Sequence, residues 1–270
     1  MNPEISIVMP TLNEEEFVER ALKCLKNQDT DVPYEIVVCD GLSTDSTVRI
    51  AEKYADKIIY EPKRGIAFGR NTGIRASSGK YIINVDADTI YPKDFVAKAY
   101  QVFKTEKYVG FVCGHNDLYD GNYSLTKKII SVIIGRVLLG TVLRFQCLRN
   151  TVSLAGWSLC TPRWVFDKVG GFNTDPNIAE DLQYCYDIEH LGLKTYVPGI
   201  KVRASIRRFT KDLKASIQHY NKLKTGLREI FINIVRPSKY SFKKILGMAE
   251  PDFYLITAIF ALINIIKLIR

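Results

Sequence analysis

Lys80-Tyr81-Ile82-Ile83-Asn84-Val85-Asp86-Ala87-Asp88-Thr89 is the stretch that decides the fold. Ile82, Ile83 and Val85 are strand formers of the kind that fill the middle of a covered parallel sheet, which predicts a buried strand here. Asp86 and Asp88 follow at its carboxyl end, which is where open α/β sheets bind their ligands. Two carboxylates one residue apart repel each other in a dry site. A divalent cation beside them relieves the repulsion, and hard oxygen donors suit Mg2+ or Mn2+. The competing reading is a solvated turn after a strand, because Asp is also a turn former.

The flanking sequence supports a sheet. Ile5–Pro10, Tyr34–Cys39 and Lys57–Tyr60 read as strands. Between them, Glu14-Glu15-Glu16 predicts a helix to about Lys26, capped by Asn13 or Thr11, with the acids at its positive end. Ser43-Thr44-Asp45 predicts a second helix to about Tyr54, and Phe68–Arg75 a third. This alternation implies a parallel, doubly wound α/β sheet with right-handed crossovers. Downstream the pattern loosens: a helix near Asp94–Thr105, strands at Tyr108–Gly114 and Leu154–Cys160, and a turn-rich stretch at Phe166–Phe172. A helix opening on Glu180-Asp181 and a strand at Lys194–Val197 follow.

Charge divides the 270-residue chain unevenly. From Lys201 to Arg270 there are 15 Lys/Arg and 4 Asp/Glu, or +11 of the formal +9; the first 200 residues carry 23 and 25, or −2. Basic segments attract nucleic acid, anionic headgroups or phosphorylated ligands. Here the charge accompanies apolar runs. Leu125–Phe145 carries Lys127, Lys128, Arg136 and Arg144 in a basic amphipathic pattern, read either as a core helix pair or as a helix lying on a membrane surface. Phe253–Ile266 is apolar for about 14 residues, short of the roughly 20 that span a bilayer, so an interfacial or re-entrant anchor, or a truncated spanning helix, competes with a buried helix. The tail has no recognisable nucleic-acid motif, and no nucleic-acid partner is expected. The six cysteines form no Cys-x-x-Cys pair and read as small buried side chains in a reducing compartment. No leader peptide is read in residues 1–10.

Other candidate groups fall around the first strand ends. Asp40 either caps the helix after it or accepts a hydrogen bond from a nucleoside. Arg64, Arg70 and Asn71 precede the central strand; Arg suits a diphosphate through its planar fork, and an exposed surface charge is the alternative. Glu180 and Asp181 either offset a helix dipole or include a general base. Arg207 and Arg208 either neutralise a leaving group or form part of the basic surface. No Gly-x-Gly-x-x-Gly follows the first strand, which disfavours a dehydrogenase.

Six stretches then occur in one order: Ile5–Glu14, Val38–Thr47, Gly69–Gly73, Val85–Asp88, Val169–Phe172 and Glu180-Asp181. Together they resemble the family 2 glycosyltransferases, inverting enzymes with the nucleotide-sugar-binding GT-A fold. The resemblance covers about residues 4 to 210 and implies a GT-A domain over 1–210; the tail from 211 to 270 matches none of its motifs and is expected, from its basic and apolar composition, to be a helical, membrane-associated segment. It implies that Pro10, Thr11 and Glu14 border the nucleotide pocket and that Asp40 holds the nucleoside. Asp86 would lie near the nucleotide sugar, Asp88 would be the ligand of Mg2+ or Mn2+, and Asp181 the base with Glu180 beside it. Trp157 would sit near sugar or acceptor. Where processive members carry Gln-x-x-Arg-Trp, this chain has Ile206-Arg207-Arg208-Phe209, which favours transfer of a single sugar. The expected activity is transfer from a UDP- or GDP-sugar to an acceptor such as polyprenyl phosphate or a glycolipid, at the cytoplasmic face of a membrane. The alternatives are a catalytically silent nucleotide-sugar-binding module and a basic nucleic-acid-binding protein, the latter disfavoured by the tail's lack of a binding motif.

Overall fold

The computed structural model describes residues 2–112, 115–119, 158–175, 180–196 and 200–205. The chain divides into two compact units, Met1–Tyr119 with Ser153–Ser205, and Asp120–Val152 with Ile206–Arg270; the described residues belong to the first. The amphipathic run at Leu125–Phe145, the basic tail, Trp157, Arg207 and Arg208 lie outside them.

Four strands alternate with three helices: β1 (Ile5–Thr11), α1 (Val18–Lys26), β2 (Tyr34–Asp40), α2 (Thr47–Ala51), β3 (Lys57–Tyr60), α3 (Ile66–Ala76) and β4 (Tyr81–Val85). They form the parallel order β3-β2-β1-β4 within a seven-stranded sheet. Every residue of β4 is buried, which is why its sequence is apolar on both faces except at Asn84. One sheet face packs Ile7, Met9, Val38, Ile83 and Val85 into a core with Val18, Leu22 and Leu25 of α1. Phe95, Val96 and Ala99 of α4 (Phe95–Thr105) complete that core. On the other face, α3 lies close over Val8 and Cys39.

The sheet continues as β8 (Ser158–Pro162), β6 (Val109–Val112) and β9 (Lys194–Tyr196). β8 runs antiparallel to both β4 and β6, so the sheet is mostly parallel with one reversed strand. A second, three-stranded sheet is ordered β5 (Thr89–Ile90), β10 (Lys201–Ser205), β7 (His115–Tyr119). Helices α5 (Arg163–Val169) and α6 (Glu180–His190) complete the described elements.

Three expectations shift. Helix α1 begins at Val18, not at the glutamates: Glu14–Phe17 form a turn in which Phe17 and Val18 N–H donate to Glu14 O. The helix expected from Ser43 begins at Thr47, because Asp45 turns the chain by accepting from Thr47 N and Oγ1. The stretch Phe166–Phe172, read as turns, is helical to Val169. The helix buries Val165 and Phe166, and the turn is confined to Gly170 and Gly171, both at positive φ. Among the described residues no helix is long and apolar enough to cross a membrane.

Candidate active site

The order β3-β2-β1-β4 reverses direction between β1 and β4, and open α/β sheets bind ligands in the crevice at such a switch point. The paired register between these strands ends at Val8↔Asn84. Continuing it would bring Pro10 opposite Asp86, and Pro10 has no N–H with which to extend the ladder. The strands therefore part just before the acids begin.

The loops after β1 and β2 are bound to each other. Asp40, fully buried, accepts from Thr11 Oγ1 at 2.9 Å, Ser43 Oγ at 2.6 Å and Ser43 N at 2.7 Å. Glu14 N donates to Thr47 Oγ1 at 2.7 Å, and Asn13 Oδ1 accepts from Thr44 N at 2.9 Å. A carboxylate offers about four lone-pair sites, so Asp40 caps its own loop and keeps one site for a further donor. At the tips of these loops Leu12 and Leu42 are exposed, and Leu42 is held at φ 64°, which side chains other than Gly rarely adopt.

Helix α3 delivers the central cation. Gly69 and Gly73 lie four residues apart on the face that meets β1 and β2, and a Cβ on Gly73 would stand 2.6 Å from Val8 Cγ1. That close approach carries Arg70 inward until it is 2% exposed. Its guanidinium donates to Glu180 Oε1 at 2.8 Å and to Asp86 Oδ1 at 3.2 Å, and it lies 5.4 Å from the Phe172 ring centre. Arg70 thus joins the end of β4 to the start of α6. Burial opposes its charge, but Asp86, Glu180 and Asp181 outweigh burial and raise its pKa. Glu180 is raised above the usual glutamate value by burial and then by Asp181, with Arg70 pulling the other way.

Asn71, expected to reach substrate, is committed to the backbone instead. Its Nδ2 donates to Phe172 O at 2.8 Å and its Oδ1 accepts from Phe172 N at 2.8 Å. Gly171 makes room for this latch, since a Cβ there would lie 2.6 Å from Asn71 Oδ1. Phe172 stacks on Tyr184 of α6 with centroids 4.3 Å apart, so the latch also sets that helix. Arg64 is exposed in the loop before α3. Pro10 is half-buried, Thr11 buried and Glu14 half-buried at the β1 end. Asp86 and Asp88 are each 6% exposed, and Asp88 O accepts from Ser205 N at 3.2 Å. The structure therefore brings Asp40, Thr11, Glu14, Arg70, Asp86, Asp88, Glu180 and Asp181 to the carboxyl edge. The contributions of Phe172 and Tyr184 were missed; the only signal was an aromatic next to Gly170-Gly171.

Among the described residues no group of three His, Cys, Asp or Glu could hold a metal by itself. Asp86 and Asp88 supply hard carboxylates at the strand end. That set fits Mg2+ or Mn2+ bound through one or two carboxylates, with substrate phosphates and water completing the shell.

This geometry agrees with known proteins. The model described as Glycosyl transferase family 2 matches residues 6–158, more than half of the 270. An uncharacterized glycosyltransferase of Bacillus subtilis, YfnE, is 34% identical over 114 residues, 40% of this chain and 29% of that protein. The chain thus spans under a third of that relative's length. The dolichyl N-acetyl-alpha-D-glucosaminyl phosphate 3-beta-D-2,3-diacetamido-2,3-dideoxy-beta-D-glucuronosyltransferase of Methanococcus voltae is 26% identical over 230 residues, 77% of this chain and 70% of that one. Among solved structures, the mannosyltransferase PcManGT of Pyrobaculum calidifontis, in complex with GDP-Man and Mn2+, superposes with a TM-score of 0.66. It is 24% identical and covers 98% of this chain and 75% of its own. Staphylococcus aureus TarS with UDP-GlcNAc gives a TM-score of 0.57 at 18% identity, over 77% of this chain and 59% of that one. With its GT-A sheet, its carboxylates at the switch point and a family match over more than half its length, the chain belongs to glycosyl transferase family 2.

Proposed function

We propose that this chain transfers one sugar from a nucleoside-diphosphate sugar to an acceptor, with inversion at the sugar carbon. The observation that carries the reading is the junction at Arg70, which binds a donor-side carboxylate, Asp86, and an acceptor-side carboxylate, Glu180, across one crevice. Pro10, Thr11 and Glu14 border the nucleotide, and the remaining lone pair of Asp40 accepts from the nucleoside. Arg64, Arg207 and Arg208 offer charge to the diphosphate, and Trp157 offers a flat apolar face to the sugar.

Because the Glu180 carboxylate is engaged by Arg70, the base is Asp181, one residue along in the first turn of α6. Asp181 takes the proton of the acceptor hydroxyl as its oxygen attacks the sugar carbon from the face opposite the departing diphosphate. Arg70 holds Asp86 and Glu180 in place throughout. A divalent cation held by Asp88, with Asp86 beside it, would supply Lewis-acid neutralisation of the leaving diphosphate. Mn2+ in the mannosyltransferase complex supports that assignment.

A lipid-linked acceptor is supported by the name of the Methanococcus voltae relative, a dolichyl phosphate-linked glycosyltransferase, and by the basic, apolar character of residues 201–270. In that reading the C-terminal segment attaches the enzyme to the cytoplasmic face of a membrane. The direct test is a thermal-shift panel of UDP- and GDP-sugars with and without Mn2+. Wild type is expected to be stabilised by one nucleotide class, and more strongly when Mn2+ is present, and Asp88→Ala to lose both that Mn2+-dependent gain and transfer. Unchanged transfer by Asp88→Ala would remove the metal assignment.

A further inference from the structure

Asp86 follows the last residue of β4. Among the described residues, the pairing of β4 with β1 ends at Asn84 and its pairing with β8 ends at Val85. A backbone N–H buried at such a point needs an acceptor. The acceptor is Tyr91, five residues along the chain: Asp86 N–H donates to Tyr91 Oη at 2.8 Å, and the hydroxyl donates back to Asp86 C=O at 3.3 Å. The N–H and C=O of a single residue point the same way when that residue is extended, as in the doubly bonded pairs of an antiparallel ladder. One hydroxyl reaching both groups therefore stands in for the missing strand neighbour and holds Asp86 extended.

The hydroxyl is itself fixed. Tyr91 is 3% exposed, and its ring packs on Phe95 of α4 with centroids 5.0 Å apart. The far side of the turn is held independently. Ala204 of β10 pairs with Thr89, and Ser205 N–H donates to Asp88 O at 3.2 Å. The turn carrying the two carboxylates is thus gripped at Asp86 by a side chain and at Asp88 by a strand.

We infer that Tyr91 is a positioning residue for the donor site, acting through its hydroxyl on the backbone of Asp86 to aim the Asp86 and Asp88 carboxylates together. This rests on the reading of that turn as the place where cation and diphosphate meet. Without the hydroxyl, the Asp86 N–H loses its acceptor, and the residue relaxes toward another partner. The carboxylate then moves with its backbone. Cation binding is the property most sensitive to such a change, because the donor oxygens must converge within a narrow distance range. Loss of a group that orients a ligand typically costs 10–100-fold in metal affinity.

The test compares full-length wild type, Tyr91→Phe and Phe95→Leu. Mn2+ binding is measured by calorimetry in the presence of UDP and, in parallel, GDP, and thermal stability is measured on the same samples. Tyr91→Phe keeps the ring, so the fold is retained. It is expected to weaken Mn2+ binding about ten-fold or more, while nucleotide binding without metal stays unchanged. Phe95→Leu removes the ring that packs on Tyr91 but leaves the hydroxyl; it is expected to lower the melting temperature with little change in Mn2+ affinity. Wild-type Mn2+ affinity in Tyr91→Phe would overturn the inference, as would an equal loss in Phe95→Leu, which would mean general loosening. Nucleotide binding by wild type with no Mn2+ dependence would remove the donor-metal reading itself, and the role of Tyr91 with it.

Discussion

Arg70 is asked to balance more negative charge than it carries. It touches Asp86 and Glu180, and Asp181 also acts on it. The direction of the Glu180 shift shows which influence wins: burial and the neighbouring acid outweigh the ion pair and raise its pKa. A carboxyl group that is raised on folding stabilises the fold below its unfolded value, near 4.5, and that stability is lost as pH climbs through the folded value. Each unit of raising is worth about 1.4 kcal/mol. Glu180→Gln can still accept the Arg70 hydrogen bond, so it should match wild type at pH 4.5 and be the more stable protein at pH 7. Urea unfolding at the two pH values checks the difference. Asp181→Asn separates the neighbours by function. It should lower turnover by about a hundred-fold or more, the usual scale of general-base catalysis, while nucleotide affinity measured by calorimetry is nearly unchanged. Loss of nucleotide binding instead would move Asp181 to the donor side.

At the scale of elements, α3 fixes how near Arg70 comes to the sheet. Gly73→Ala would gain about 1 kcal/mol in helix propensity. The new methyl would also meet Val8 Cγ1 at 2.6 Å, and such overpacking costs about 1–3 kcal/mol. The expected net result is a lower urea midpoint, together with weaker nucleotide binding, because the same shift displaces Arg70 one turn earlier. The strands that build this half of the sheet are legible in the sequence because covering on both faces demands mostly apolar runs, as in Ile36–Cys39 and in Ile82–Val85, which only Asn84 interrupts. Asp40, Asp86 and the Glu180-Asp181 pair are legible because each closes a strand or opens a helix. Other features leave little local trace. Strand β5 has two residues, and β10 carries Lys201 and Arg203 on its exposed positions, so neither shows a buried run. Helix α5 is short and ends in Gly170-Gly171, whose turn signal dominates the stretch. Glu180, one of the two partners of Arg70, is 110 residues away and Phe172, the partner of Asn71, is 101 away, distances at which no periodicity connects them. Asn71 therefore reads as a polar group near a phosphate site, although the fold uses it as a latch.

For the whole molecule, the uneven charge is the feature that bears on where the protein works. With 15 basic and 4 acidic residues in 201–270, attraction to an anionic surface should be strong at low salt and weaken as screening shortens its reach. Full-length protein is expected to sediment with anionic vesicles. A chain ending at Glu250 keeps 13 of those 15 basic residues but lacks the apolar Phe253–Ile266 run, so it should be released from the vesicles once salt screens the charge, while the full-length protein stays bound. Equal sedimentation of the two at that salt would remove the C-terminal run from the membrane proposal.

The two long contacts of α3 also bear on the order of events when the chain folds. Strands β1 to β4 and their crossovers use only residues 5–85 and can assemble by successive short steps. The Arg70–Glu180 and Asn71–Phe172 contacts wait for chain more than a hundred residues later, with the loop-closure entropy that such separation carries. A nascent chain therefore presents its strand ends, with Asp40 and Asp86 in place, before the wall bearing Asp181 exists. On this expectation the strand-end half of the crevice, with Asp40 and Asp86, forms first, and the half bearing Glu180 and Asp181 closes on it last.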